Sequence, residues 1–149
     1  MSFTKEIVER VIDRMLDIWE TADQWTQGVL ARNGDGDELT NASSPSAIKW
    51  CALGCKSRAL NDLALYDYSE DFEEFFNYYA SIQQGNATTS GNAVVLFNDS
   101  PETTFEDVRL FVKCLKDMDI PEHLRYDPEF DDVSPFCPCP ACRADRANP

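Results

Sequence analysis

The sequence is poor in basic residues and contains a single histidine. Its 149 residues include 13 Lys and Arg against 27 Asp and Glu, which gives a formal net charge of −14. Nucleic-acid backbones and anionic lipid surfaces are bound by clustered Lys and Arg. The balance therefore argues against direct binding to nucleic acid or to a membrane, and it favours a protein with a basic surface as the partner.

Two further absences bear on location and chemistry. No apolar run approaches the roughly 18 residues of a membrane span, and the N-terminus lacks the apolar stretch of a signal peptide. We therefore expect a cytoplasmic protein whose six cysteines are reduced thiols or metal ligands. The chain also lacks a nucleophile elbow, a P-loop and a dinucleotide fingerprint, so any mechanism that needs histidine must use His123. These absences favour a non-enzymatic protein.

Apolar residues at helical spacing predict a mainly α fold, with about four helices in one compact domain. The predicted helices lie, in chain order, at residues 5–19, 44–63, 70–83 and 103–118, and the first is capped by Thr4 or Ser2. The Asn-Gly and Asp-Gly dipeptides that begin at Asn33 predict a turn and a short hairpin. The run 93–97 is compatible with either a strand or a helical turn. We place the domain at residues 1–121 and an extended tail, rich in Pro and Cys, at residues 122–149.

Helix starts and buried positions are predicted from local signals. Ser44 followed by a proline is typical of a helix start, and Thr103 with Glu106 forms a capping box before the last helix. Gly54 lies inside the second helix, where it costs about 1 kcal/mol relative to Ala, so close packing against another segment is expected there. The predicted buried positions near the helix ends are Ile82, Cys114 and Met118.

Acidic residues are concentrated in a window without bases. Between residues 59 and 108 the chain has ten Asp or Glu and no Lys, Arg or His. Tyrosines lie among these acids, and aromatic anchors combined with charge are typical of a protein interface. The predicted interaction surface consists of Asp67, Tyr68, Glu70, Asp71, Glu73, Glu74, Tyr78, Asp131 and Asp132. The alternative is a set of solvated faces that no partner recognises.

The six cysteines fall into two groups. Cys51 and Cys55 lie one helical turn apart and are predicted to be buried structural thiols. The motif CPCPAC at residues 137–142 places three thiols in a Pro-rich tail, and Cys114 or His123 is available as a fourth ligand. Three interpretations stay open for this group: a structural zinc site, disulfides within or between chains, and reduced thiols. The candidate metal or disulfide residues are Cys114, His123, Cys137, Cys139 and Cys142.

Four short blocks resemble an uncharacterised family of small proteins from actinobacteria, rhizobia and their phages. The blocks are WTQG at residues 25–28 with Arg32, WCALG at residues 50–54, NDSP at residues 98–101 and TFEDV at residues 104–108. They resemble the family pattern W-x-Q-G, W-C-A-L-G, N-D-x-P and T-x-x-D-V, from Trp25 to Leu115. The resemblance implies a mostly helical domain in a bacterial or phage setting, and it implies no catalytic residues.

The residues of these blocks also form a candidate pocket. Its predicted members are Trp25, Gln27, Trp50, Asn98 and Asp99. Binding pockets combine aromatic side chains with a few polar groups, which these residues supply. In the structural alternative, Asn98 and Asp99 bond backbone groups at the start of the last helix, and the tryptophans anchor the loop to the core.

Three functions follow from these observations. The first is a non-enzymatic acidic interaction module, phage-related, that docks on or blocks a basic surface of another protein, in one form as a nucleic-acid mimic. The second is a virion or assembly component that is joined to its neighbours through the cysteine-rich tail. The third is a small enzyme or ligand-binding protein that uses the pocket of Trp25, Trp50 and Asp99.

Overall fold

The computed structural model describes residues 3–83 and 93–124. Within these ranges the chain forms five α-helices, a three-stranded antiparallel sheet and three short 3₁₀ helices. The helices and strands are α1 (Lys5–Ile18), β1 (Ala31–Asn33), β2 (Glu38–Leu39), β3 (Ala47–Trp50), α2 (Ala52–Asp62), α3 (Ser69–Gln83), α4 (Ala93–Asp99) and α5 (Phe105–Leu115). The prediction of a mainly helical single domain is confirmed, with one helix more than expected because residues 93–99 form α4.

The first helix forms as its sequence pattern predicts. The hydroxyl of Thr4 accepts a hydrogen bond from the backbone N–H of Ile7 at 3.3 Å, which caps the N-terminus. Val8, Val11 and Met15 lie on one stripe and are fully buried. This stripe packs on α2 and α5, so α1 is at the centre of the core.

The predicted hairpin joins β1 to β2. The side-chain oxygen of Asn33 accepts hydrogen bonds from the backbone N–H groups of Asp35 and Asp37, at 2.9 and 3.0 Å, and Gly36 takes a positive φ of 85°. The sheet order is β2-β1-β3, and Ala31 pairs with Leu39 on one side and Trp50 on the other. The hairpin prediction is therefore confirmed, and the third strand was not predicted.

The prediction that the second helix begins at Ser44 is wrong. The Ser44 hydroxyl bonds Ser46 within a turn, and the chain then pairs with β1 as β3 before α2 begins at Ala52. Cys51 is the N-cap of α2, and its sulfur accepts a hydrogen bond from the N–H of Gly54 at 3.3 Å. The pairing of β3 with β1 is a non-local interaction, and it overrides the local helix-start signal.

Gly54 makes the close contact that its position predicts. A Cβ atom built on Gly54 would lie 1.9 Å from the carbonyl oxygen of Leu30. That oxygen also accepts a hydrogen bond from the N–H of Cys51 at 3.1 Å. The first turn of α2 therefore rests directly on the backbone that leads into β1.

Four predictions about the later helices need correction. Ile82, Cys114 and Met118 are exposed, because the core contacts α5 along Val108 and Val112 and leaves the outer turns of α3 and α5 open. The capping box of α5 is formed by Thr104 and Asp107, one residue later than predicted. The later start follows from a turn in which the N–H of Thr103 bonds the carbonyl of Ser100.

The remaining helices complete the core. Phe72, Phe75 and Phe76 of α3 are fully buried, and Asn77 accepts a hydrogen bond from the N–H of Val94 at 2.9 Å, which holds the start of α4. Ile120 and Leu124 lie in the same core, so the core continues three residues past the predicted domain end at 121. In the described part of the chain, no helix combines the length and apolar character needed to cross a membrane.

Candidate functional site

Four of the five predicted pocket residues, all except Trp50, meet at Asn98, near the end of α4. Its side chain is only 1% exposed, and its oxygen accepts hydrogen bonds from Trp25 Nε1 at 2.9 Å and from the N–H of Ala52 at 3.1 Å. Its nitrogen donates to the carbonyl of Thr26 at 3.2 Å and to the Asp99 carboxylate at 2.9 Å. An amide side chain has two donors and two acceptor lone pairs, so Asn98 uses its full capacity inside the protein.

Gln27 and Asp99 tie the same loop to the end of α4. The Gln27 amide donates to the carbonyls of Asn98 and Ser100, at 2.8 and 3.0 Å. The Asp99 carboxylate accepts a hydrogen bond from the N–H of Gly28 at 2.9 Å, where φ is +83°. Segment 25–28, Ala52 and residues 98–99 are called the Asn98 joint below. The joint connects this loop to α2 and α4, and not to the start of the last helix as the structural alternative predicted.

Trp50 contacts the joint through its backbone. Its carbonyl accepts hydrogen bonds from the N–H of Thr26 and from Trp19 Nε1, both at 3.2 Å. Its indole N–H donates to the carbonyl of Ala42 at 2.8 Å, and the Arg58 guanidinium lies 5.6 Å from the centre of its ring. The indole is thus engaged by neighbours of its own, while Trp25, Gln27, Asn98 and Asp99 are joined by their side chains.

A small recess lies beside the Asn98 joint. Its volume is about 170 Å³, and its lining includes Leu30, Cys51, Val94 and Asp99. Pockets for small ligands usually measure about 300 Å³ or more. Burial raises the pKa of the Cys51 thiol, so at neutral pH it is protonated and a poor nucleophile. The polar atoms of the joint bond one another, an arrangement typical of a structural junction.

The predicted acidic surface lies at the N-terminal end of α3. Asp67, Glu70 and Glu74 are exposed, and Asp71 and Glu73 are half-buried. These five residues are called the α3 acidic surface below. Tyr78 is half-buried.

Three residues predicted for this surface are not part of it as described. Tyr68 is only 8% exposed, because its ring packs 6.3 Å from that of Phe3 in the core, so its prediction as a surface residue is wrong. Asp131 and Asp132 lie outside the described residues.

The acids of the α3 acidic surface form no ion pair with the bases that the structure describes. In residues 3–83 and 93–124, the ion pairs join Arg14 and Arg58 to Asp62 and Lys116 to Asp13, and none involves the five acids. Burial raises the pKa of Asp71, and repulsion from Glu74 and Glu70 raises it further. The acids of this surface therefore repel one another at neutral pH.

Lys56 lies beneath the acidic surface and was not predicted as part of it. It is 3% exposed, and its ammonium donates to the hydroxyl of Ser69 at 3.2 Å, at the start of α3. Burial lowers the pKa of Lys56, while the charge of Glu73 acts in the opposite direction. A lysine inside a helical pattern normally indicates solvent exposure, and so the sequence carried no signal for this position.

The described thiols are all free. Cys51 and Cys55 are buried, as predicted, and Cys114 is exposed. The backbone of His123 belongs to the 3₁₀ helix Glu122–Leu124, and Cys137, Cys139 and Cys142 lie outside the described residues. Among the residues that the structure describes, no group of three His, Cys, Asp or Glu side chains is arranged to hold a metal ion.

A groove between α3 and α5 was not predicted. Its volume is about 580 Å³. The residues that line it are Tyr79, Ile82, Gln83, Phe97, Asp107, Leu110, Phe111, Cys114, Leu115 and Met118. Ile82, Leu110 and Met118 are 55%, 60% and 40% exposed. Leu110 could have indicated the groove, because it is a large apolar residue that lies off the buried stripe of Val108 and Val112.

Comparisons with protein-family models, curated proteins and solved structures found no match to this chain. The resemblance to the W-x-Q-G family stays a prediction.

Proposed function

We propose that the protein is a non-enzymatic interaction module that docks on a basic surface of another protein. The observation that carries the proposal is the α3 acidic surface, where five acids have no ion pair among the described residues. Complementary charge accelerates encounter and selects the partner. In the bacterial or phage setting implied by the resemblance, a nucleic-acid-binding cleft is one such partner, and the module would block it as a nucleic-acid mimic.

The electrostatics of Asp71 support this function. Its raised pKa reflects an unfavourable environment for the ionised carboxylate, created by burial and by Glu74 and Glu70. A Lys or Arg side chain of the partner, placed beside these groups, would relieve the repulsion. Binding would therefore remove an unfavourable electrostatic interaction that is present in the free protein. Exposed charges are screened by salt, and the complex should therefore weaken as ionic strength rises.

The experiment compares two triple variants that change the net charge equally. Glu70→Gln/Glu73→Gln/Glu74→Gln removes three charges from the α3 acidic surface, and Glu6→Gln/Glu9→Gln/Glu20→Gln removes three exposed charges from α1 and its C-terminal end. With a labelled oligolysine peptide as the probe, we expect the first variant to bind about tenfold more weakly at low salt and the control to change by less than about twofold. Fluorescence anisotropy measures both affinities. Equal losses in the two variants would show that only net charge matters, which contradicts a localised surface.

A pH-dependent prediction follows from Asp71. We expect Asp71→Asn to stabilise the fold at neutral pH by about 0.5 kcal/mol or less, because water screens much of the repulsion. The pKa of Asp71 in the folded protein is raised above 3.8, the ordinary value of an aspartate. The destabilisation by its charge is therefore fully present above the raised pKa. It is lost as the pH falls through that pKa toward 3.8. Urea unfolding at about pH 7 and about pH 4 measures the difference. A gain of the same size at both pH values would indicate a conformational cause.

The other two predicted functions have less support. The virion or assembly function depends on Cys137, Cys139 and Cys142, which lie outside the described residues. The enzyme or ligand-binding function depends on a recess of about 170 Å³ whose polar neighbours already bond one another.

A further inference from the structure

We propose that the groove between α3 and α5 takes the apolar face of an amphipathic helix from the partner protein, with Lys and Arg on the helix's other face. This inference rests on the proposed function and names the segment of the partner that is bound. It explains why an acidic interaction module exposes a continuous apolar groove, a feature that charge recognition alone does not require.

The groove concentrates apolar side chains that a packed domain would normally cover. Ile82 contributes one wall from α3, and Leu110 and Met118 contribute the other from α5 and the turn that follows it. Phe97 and Phe111 lie against each other between these walls, with ring centres 5.4 Å apart. Single exposed apolar residues are common, but a contiguous apolar patch marks an interaction site.

The spacing of the groove residues fits a helix. Leu110 and Cys114 lie one helical turn apart on α5, and Met118 lines the groove from the turn that follows the helix. A helix that lies in such a groove presents apolar anchors at positions i, i+3 or i+4, and i+7, one turn apart along its axis. The anchors of a partner helix therefore match the spacing of Leu110 and Cys114 on α5.

Charge identifies the other face of that helix. Glu74, Tyr78 and Ile82 lie at positions i, i+4 and i+8 of α3, so one stripe leads from the α3 acidic surface into the groove. Asp107 lines the groove from α5, and neither α3 nor α4 contains a base. A helix with Lys and Arg beside its apolar face would meet these acids.

The bases near the groove are few among the described residues. Lys113 is exposed on α5, Lys116 pairs with Asp13 at 2.6 Å, and Lys5 donates to the carbonyl of Met118. Two of these three lysines thus already have partners in the chain. The charge around the groove is therefore mainly negative.

The same charges disfavour the occupants that this chain itself could supply. A second copy seated on the groove would bring together two chains of net charge −14, and neither has a base on α3 or α4 to pair with the acids of the other. Segment 125–149 contains five acids and three arginines, so it brings a net negative charge and would also be repelled. A basic helix from a partner protein would meet no such repulsion.

The test uses a peptide of about 18 residues, composed of Leu and Lys, with Leu at helical spacing i, i+3, i+4 and i+7. A peptide of the same composition in scrambled order is the control probe. The protein is the full chain with Cys137→Ser, Cys139→Ser and Cys142→Ser, so that Cys114 is the exposed thiol that a reagent can label. We expect the helical peptide to bind at least about tenfold more tightly than the scrambled one and to slow Cys114 labelling by about fivefold or more.

Two matched variants separate the groove from the acidic surface. Leu110→Ser changes a groove residue, and Ile48→Ser changes an exposed apolar residue of β3 outside the groove. We expect Leu110→Ser to weaken binding of the Leu/Lys peptide about tenfold, Ile48→Ser to leave it within about twofold, and both to leave oligolysine binding unchanged. Both sites are exposed, so neither variant removes a core contact.

Each other outcome overturns the inference in a recognisable way. Binding that is insensitive to Leu110→Ser and leaves Cys114 labelling unchanged rejects the groove, although loss of oligolysine binding in the α3 triple variant would still support the acidic surface. Slow Cys114 labelling in the free monomer means that the chain covers its own groove. A dimer in sedimentation velocity that Leu110→Ser dissociates means that a second copy is the occupant. If the α3 triple variant binds both oligolysine and the Leu/Lys peptide as tightly as the parent protein does, the proposed function itself is rejected.

Discussion

Asn98→Ala is expected to lower the free energy of unfolding by about 3 kcal/mol or more, because each buried polar group left without a partner costs about 1–3 kcal/mol. The substitution removes the acceptor of Trp25 Nε1 and of the Ala52 N–H, and the donor to the carbonyl of Thr26. Asn98, Ala52 and Thr26 are buried, and Trp25 is half-buried. Urea unfolding followed by circular dichroism measures the change.

Two further variants make this prediction specific. Trp25→Phe keeps an aromatic ring and loses the indole N–H and part of the ring system, so we expect a smaller loss, of about 1–2 kcal/mol. Asn61→Ala removes an exposed amide on α2 and should change stability by less than about 0.5 kcal/mol. If Asn98→Ala behaves like Asn61→Ala, the joint does not stabilise the fold, and its polar groups would be free to serve a ligand.

Gly54→Ala is the second substitution with a large expected effect. The new Cβ would lie 1.9 Å from the Leu30 carbonyl oxygen, far inside contact distance. That oxygen is held by the N–H of Cys51, so it can move away only if this hydrogen bond is lost. We expect a loss of about 2–3 kcal/mol, since overpacking of this kind outweighs the gain of about 1 kcal/mol in helix propensity.

Gly34→Ala is the matched control for this substitution. The nearest atom to a Cβ at Gly34 is Ile48 Cδ1 at 3.9 Å, which is an ordinary contact. The free energy of unfolding of Gly34→Ala should therefore stay within about 0.5 kcal/mol of that of the parent protein in the same experiment. Equal stability of the two variants would contradict a rigid contact between α2 and the backbone of Leu30.

Sequence patterns predict this fold where local signals and tertiary contacts agree. The Thr4 cap and the apolar stripe of α1 are both set by residues within this one helix, so the local sequence is enough to predict them. The turn at Asn33 is likewise local, because the Asn33 side chain itself bonds the backbone of the turn. The glycine at position 54 indicated a close approach but not the segment that approaches. At residues 44–50 the local signals favoured a helix start, and strand pairing with β1 decided otherwise.

The candidate sites were predictable to different degrees. The block residues Trp25, Asn98 and Asp99 do meet, but the sequence could not show that their polar atoms bond one another instead of facing a cavity. The apolar stripe shows which face of α5 is buried. It does not show how much of the flanking helix surface the neighbouring helices cover. For that reason Cys114 was predicted to be buried, and the groove beside it was not found.

The Asn98 joint has a spectroscopic consequence, because the three tryptophans of the chain lie in it or beside it. Trp19 and Trp25 bond or pair with Trp50 there, and the chain contains three tryptophans. Four of the five tyrosines lie between residues 66 and 79, in α3, whose N-terminal end bears the acidic surface, and in the 3₁₀ helix before it. Tryptophan emission therefore reports on the joint, and tyrosine absorbance reports mainly on the acidic end of the molecule. Coincident transitions of the two signals would establish that the joint and the acidic end unfold as one cooperative unit.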